Sequence, residues 1–197
     1  MFFREAKMEK KKLSGNVIVI DYLVNIFTEE EISSLSGMLR EANLSVYGHA
    51  HKPRVLGSLD DLFANITVLL PPDLLQQICI GILTNTSYDC LKNFLINFWK
   101  VAKTKLLTKV RGEIVTENVP PIIHVQAGKL KVVIPTNLED NKFEYFVDRM
   151  FECITPETIT EDKYAFYDNE SRNITLLTSR QIAEKAMQEW SEKHEGK

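Results

Sequence analysis

The sequence predicts an α+β protein, and three observations carry that prediction. A β-branched run, Val17-Ile18-Val19-Ile20, is followed by a strongly marked helix start and a second extended stretch, giving a strand–helix–strand unit. Residues 71–107 repeat their apolar side chains at helical spacing. Beyond Pro120-Pro121 the order hairpin–helix occurs twice, which predicts an antiparallel sheet covered on one face by two helices.

Residues 1–15 are charged, with Lys10-Lys11-Lys12 and Ser14-Gly15, and have little to bury, so a mobile tail is expected. An N-terminal α/β subdomain over 16–112 and a C-terminal α+β subdomain over 113–197 follow, divided where Gly112 and Pro120-Pro121 interrupt the pattern. The first strand carries no charge until Asp21, as a strand buried on both faces requires. Thr28 and Glu31 have the spacing of a capping box, and Phe27 and Ile32 that of a hydrophobic staple. Ile32, Leu35, Leu39 and Ala42 then form one apolar stripe, and Leu44-Ser45-Val46-Tyr47 reads as the second strand.

Pro71-Pro72-Asp73 opens a further helix, since proline suits the first turn and an acid the positive end of the dipole. Thr84-Asn85-Thr86-Ser87 either ends that helix or forms its polar patch. From Tyr88 to Leu107, Leu91, Leu95, Phe98, Ala102 and Leu106 share one side, with Lys92, Lys100, Lys103 and Thr104 opposite. Ile122–Gln126 and Leu130–Ile134 flank Ala127-Gly128, which predicts a two-residue hairpin. That register sets Val125 opposite Leu130 and Ile123 opposite Val132, with His124, Lys129 and Lys131 on the other face. The next helix starts near Asn141. The second copy of the plan runs through Tyr164–Tyr167, Ile174–Leu177 and a helix capped by Thr178 and Gln181. Phe146, Met150, Ala186 and Trp190 are expected to cover the apolar sheet face.

Composition narrows the function class by exclusion. The chain has 197 residues, 44% hydrophobic and 26% charged, with 8 Gly and 7 Pro, so collagen-like and low-complexity classes are out. Its net charge is −3, which argues against a general nucleic-acid coat protein. Cys79, Cys90 and Cys153 make no CxxC pair and read as small buried hydrophobes of a reducing compartment. No signal-peptide core and no run of membrane-spanning length occurs, so a cytoplasmic location without membrane contact is expected. No P-loop, GxGxxG, GxSxG or HExxH is present.

One short stretch has the look of a metal motif. Val46-Tyr47-Gly48-His49-Ala50-His51-Lys52-Pro53 resembles the last metal-binding motif of calcineurin-like metallophosphoesterases, in which Gly-His-x-His follows a strand and both imidazoles reach a two-metal centre. The resemblance covers about eight residues, and the upstream Asp-x-His and Gly-Asn-His-Glu of that family are missing, so its activity is not carried over. Residues i and i+2 of an extended segment do project together, making His49 and His51 candidate ligands, with Asp21, Asp60 or Asp61 as a third. Two histidines alone fall short of the three ligands of a catalytic zinc site, so the expectation is no metal and no cofactor.

Charge placement adds a second signal. Residues 91–112 hold Lys92, Lys100, Lys103, Lys105, Lys109 and Arg111 and no acid, whereas residues 138–162 hold eight acids against Lys142 and Arg149. These stretches can satisfy one another within or between chains. The expected function is therefore a non-enzymatic interaction or oligomerisation module, with a protein or a second copy as partner. Its contacts would come from Lys100, Lys103, Lys105, Lys109, Arg111, His124, Lys129 and Lys131. A small metal-dependent hydrolase using His49 and His51 is the alternative, and a nucleic-acid binder using the basic helix 92–111 a third reading.

Overall fold

Why the chain folds as it does is clearest from β1 (Val17–Leu23). Ile18, Ile20 and Tyr22 alternate into the core, and the intervening Val19 and Asp21 lie on the opposite face. The structure is a computed structural model describing residues 15–24, 26–51, 66–110 and 123–194. Among these, the fold is α+β, built on one mixed seven-stranded sheet.

Thr28 caps α1 (Glu29–Gly37) through the expected box: its backbone N–H donates to Glu31 Oε2 at 2.9 Å, and its Oγ1 accepts from the Glu31 N–H at 3.2 Å. Glu31 also pairs with Lys105 at 2.8 Å, which holds its carboxyl below the usual carboxylate range. Thr28→Ala is expected to lower stability by about 1 kcal/mol, read from urea unfolding at neutral pH. The helix is shorter than its apolar stripe suggests. It ends at Gly37, a 3₁₀ turn covers Arg40–Ala42, and Asn43 turns the chain in a left-handed conformation (φ 57°). Leu39 remains fully buried although it lies beyond the helix.

β2 (Ser45–His51) returns parallel to β1, which completes the strand–helix–strand unit. The strand runs through the Gly-His-Ala-His stretch, so both histidines stand on a strand rather than on a loop after it. β3 (Ile66–Leu69) lies on the other side of β1, antiparallel to it, and no reading of the sequence anticipated it. Pro72 opens α2 (Pro72–Cys79), and α3 (Asn85–Val110) follows as a separate helix. Thr84 Oγ1 accepts from the Ser87 N–H at 3.2 Å, so the polar stretch is a helix start.

β4 (Ile123–Ala127) pairs in parallel with β3, so the sheet runs across the expected subdomain boundary. β5 (Leu130–Ile134) is its hairpin partner. The turn residues are Gly128 and Lys129, one position later than predicted, and Val125 faces Val132 while Ile123 faces Ile134. Gly128 at φ 63° occupies the position that a type II′ turn reserves for glycine. The register error is two residues, an even number, so the predicted inward set Ile123, Val125, Leu130 and Val132 is fully buried all the same. Lys129 belongs to the exposed turn rather than to the sheet face.

α4 (Asp140–Cys153) buries Phe143, Phe146, Val147 and Met150. β6 (Lys163–Asp168) then joins β5 in parallel, and β7 (Asn173–Thr178) closes the second hairpin. The C-terminal strands are thus two antiparallel hairpins fused side by side in parallel, not the wholly antiparallel sheet expected. The strand order is β2-β1-β3-β4-β5-β6-β7. No helix among the described residues is long and apolar enough to cross a membrane.

The last helix, α5 (Ser179–His194), is the largest departure from expectation. Its cap is as predicted, with the Thr178 N–H donating to Gln181 Oε1 at 2.8 Å. Ala186 and Trp190, however, do not pack on the inner sheet face. Phe143, Phe146, Met150 and the α3 side chains Leu91, Leu95, Phe98 and Trp99 already fill that side. Instead, Ile182, Lys185 and Ala186 line a groove of about 490 Å³ with Phe166, Thr175 and Leu177, which point out from β6 and β7.

Candidate functional site

The alternation that buries Ile18, Ile20 and Tyr22 sends Asp21 to the outer face of β1. On β2 the inward position opposite Ile20 is Gly48, where a Cβ would come within 3.0 Å of Tyr22 Oη and 3.1 Å of Ile32 Cγ1. The glycine lets β2 lie close against α1, and it places His49 and His51 on the outer face. The parallel register sets His49 opposite Asp21, and His51 one pleat further along. Nδ1 of His49 lies 2.9 Å and Nδ1 of His51 3.0 Å from the same atom, Asp21 Oδ1.

An ionised carboxylate only accepts, so both contacts are hydrogen bonds donated by Nδ1–H groups. The three side chains keep 38–39% of their surface exposed. Each residue offers one ligand atom, and these atoms lie within 4.8 Å of one another. Two imidazoles and one carboxylate, partly open to solvent, can hold a divalent transition ion or orient and exchange protons.

The remaining candidates are dispersed. Thr67 lies beside Asp21, and His124 beside Thr67, on the same outer face. His124 is thus two strands from Asp21, roughly 10 Å at about 4.8 Å per strand, and outside the trio. Lys131 lies over the Tyr164 ring at 5.3 Å. Asp60, Asp61 and Arg111 fall outside the described residues, and Lys109 stands in the last turn of α3.

Much of the basic stretch is neutralised within the chain. Lys92 pairs with Asp148 at 2.8 Å, Lys100 with Asp140 at 3.1 Å and Lys105 with Glu31 at 2.8 Å. Lys103 turns back over the Trp99 ring at 4.4 Å and donates to the Leu138 carbonyl at 2.9 Å. It is therefore a tie between α3 and the segment before α4 rather than the outward docking cation expected. Tyr88 also donates to Asp148, and burial is the main cause that raises its phenol well above the usual range. Burial pushes the Cys153 thiol up to about 11, the opposite of what a nucleophilic cysteine needs.

Comparison with known protein families, curated proteins and solved structures gives no match to this chain. Function therefore has to be argued from the site itself. The feature that sequence reasoning missed is the exposed side of α5. Its stripe was visible as Ile182, Ala183, Ala186, Met187 and Trp190, but the sequence carries no signal that another layer already occupies the inner sheet face.

Proposed function

We propose that the protein is a non-enzymatic interaction module that associates with a second copy of itself through α5. The observation that supports this reading is the apolar stripe of that helix, where Met187 is 70% and Trp190 64% exposed. Ile182, Ala183 and Ala186 extend the stripe along the same side at helical spacing. The helix has three bases, Arg180, Lys185 and Lys193, and three acids, Glu184, Glu189 and Glu192. A copy laid antiparallel meets a balanced charge set, so no net repulsion opposes an isologous contact.

A single helix pair buries less than the usual 800 Å² or so per partner, so the dimer should be weak. Sedimentation equilibrium should show dimers forming at tens of micromolar, on the order of a −6 to −7 kcal/mol interaction. Met187→Glu with Trp190→Glu should hold the chain monomeric, because burying either new carboxylate is unfavourable. A wild-type chain that stays monomeric throughout this range, or a variant that dimerises equally well, would overturn the assignment. The neutralised lysines of α3 weigh against the nucleic-acid reading, since a phosphate contact would have to displace an existing acid.

A further inference from the structure

We propose that Asp21, His49 and His51 bind one divalent transition-metal ion, with zinc as the reference ion. This does not depend on self-association, since the trio stands on β1 and β2 at the opposite end of the sheet from α5.

The donor set is the first argument. Two neutral imidazoles and one carboxylate are a set that zinc takes in open sites, and that iron takes in two-histidine, one-carboxylate centres. Three protein ligands leave a position for solvent, and the partial exposure of all three side chains gives solvent access to it. Among the described residues these three donors are the group that gathers, enough to hold one ion.

Spacing is the second argument. A four-coordinate ion with bonds of about 2.0–2.1 Å holds its ligand atoms about 3.3–3.5 Å apart. The two Nδ1 atoms lie 2.9 and 3.0 Å from Asp21 Oδ1. Reaching that spacing opens these two contacts by about half an ångström, and the three ligand atoms already lie within 4.8 Å of one another. The ligands come from paired strands whose register is fixed by the buried faces, so the backbone is preorganised. An ion seated between them replaces the two Nδ1 protons, which move to the Nε2 atoms.

A hydrogen-bonding role by itself explains the arrangement less well. Water satisfies half-exposed imidazoles and carboxylates at little cost, and exposed pairs of this kind contribute little to stability. Convergence of two rings on one carboxylate oxygen has a clear use when a cation is to be held there.

The test uses the full chain, stripped with chelator and titrated with Zn²⁺ by calorimetry, with metal content measured after dialysis. One ion per chain is expected, with a dissociation constant below about 10 µM. Asp21→Asn, His49→Ala and His51→Ala should each weaken it by more than about tenfold, while His124→Ala should not. Asp21→Asn keeps the shape and one acceptor oxygen while removing the ligand charge. It therefore separates a metal role from a structural one, and circular dichroism checks that each variant is folded. In the wild-type chain, addition of zinc should shift the imidazole nitrogen resonances of two histidines, a readout that needs no variant. Absence of saturable binding below about 100 µM overturns the proposal. So does binding that survives both Asp21→Asn and His49→Ala.

Discussion

Trp99→Ala is expected to lower stability by about 3–5 kcal/mol, the range for removing a fully buried large aromatic side chain. The indole is 0% exposed and lies flat on Phe143, with ring centroids 4.2 Å apart and planes 8° from parallel. Its Nε1–H donates to the Pro135 carbonyl at 3.1 Å. The Lys103 ammonium covers the ring at 4.4 Å. One side chain therefore joins α3, α4 and the segment after β5. Truncation opens a cavity among rigid neighbours and takes a donor from a carbonyl, and both effects destabilise. Against a total of about 5–15 kcal/mol, such a loss leaves a marginal fold. Trp99→Phe keeps the stack and loses the N–H, so its cost should be nearer 1–2 kcal/mol. Guanidinium unfolding measures both, and a loss under about 1 kcal/mol for Trp99→Ala would show that Trp99 is not the joint described.

Gly128→Ala should cost about 2–4 kcal/mol, more than an alanine in an ordinary turn. Two separate effects meet at this position. The residue has φ 63°, which L side chains adopt at a cost of roughly 1–2 kcal/mol. A Cβ there would also lie 2.5 Å from the Ile159 carbonyl oxygen, a backbone atom that accepts the Lys129 N–H at 2.9 Å. That oxygen belongs to the 3₁₀ turn Thr158–Thr160, which Thr158 ties down through its hydrogen bond to the Cys153 carbonyl at 2.7 Å. It has little room to retreat. Gly81 provides the control, because it shares a positive φ (66°) yet has nothing within 4 Å of its would-be Cβ. Gly81→Ala should thus show the conformational cost alone. Equal losses at the two sites, measured by thermal and urea unfolding, would mean that the contact with Ile159 does not matter.

The elements were legible where local chemistry decides them. The capping boxes at Thr28/Glu31 and Thr178/Gln181 were read from residue type and spacing, because the hydrogen bonds they make span only three residues. The inward faces of β4 and β5 survived a wrong turn because side-chain direction has a period of two. The candidate site was half legible. His49 and His51 could be placed on one side by their spacing, but Asp21 was one of three carboxylates that could join them, and sequence separation gives no preference among them.

What escaped the sequence was pairing between distant segments. β3 is a four-residue strand, Ile66-Thr67-Val68-Leu69, too short to stand out, yet it links β1 to β4 and so unites the sheet. The parallel β5–β6 contact likewise depends on how two hairpins dock, which neither hairpin encodes alone. By itself the sequence determined the α+β class, the starts of α1, α2 and α5 and which faces of β4 and β5 are apolar, since these follow from interactions over a few residues; β1, expected to be buried on both faces, buries only Ile18, Ile20 and Tyr22 on one. Only the tertiary structure decided that Asp21 meets the two histidines, and that the apolar side of α5 stays exposed. Both outcomes turn on which layer reaches the sheet and which strands become neighbours, and the burial of Trp99, Phe143 and Phe146 on the inner face decides the first of these.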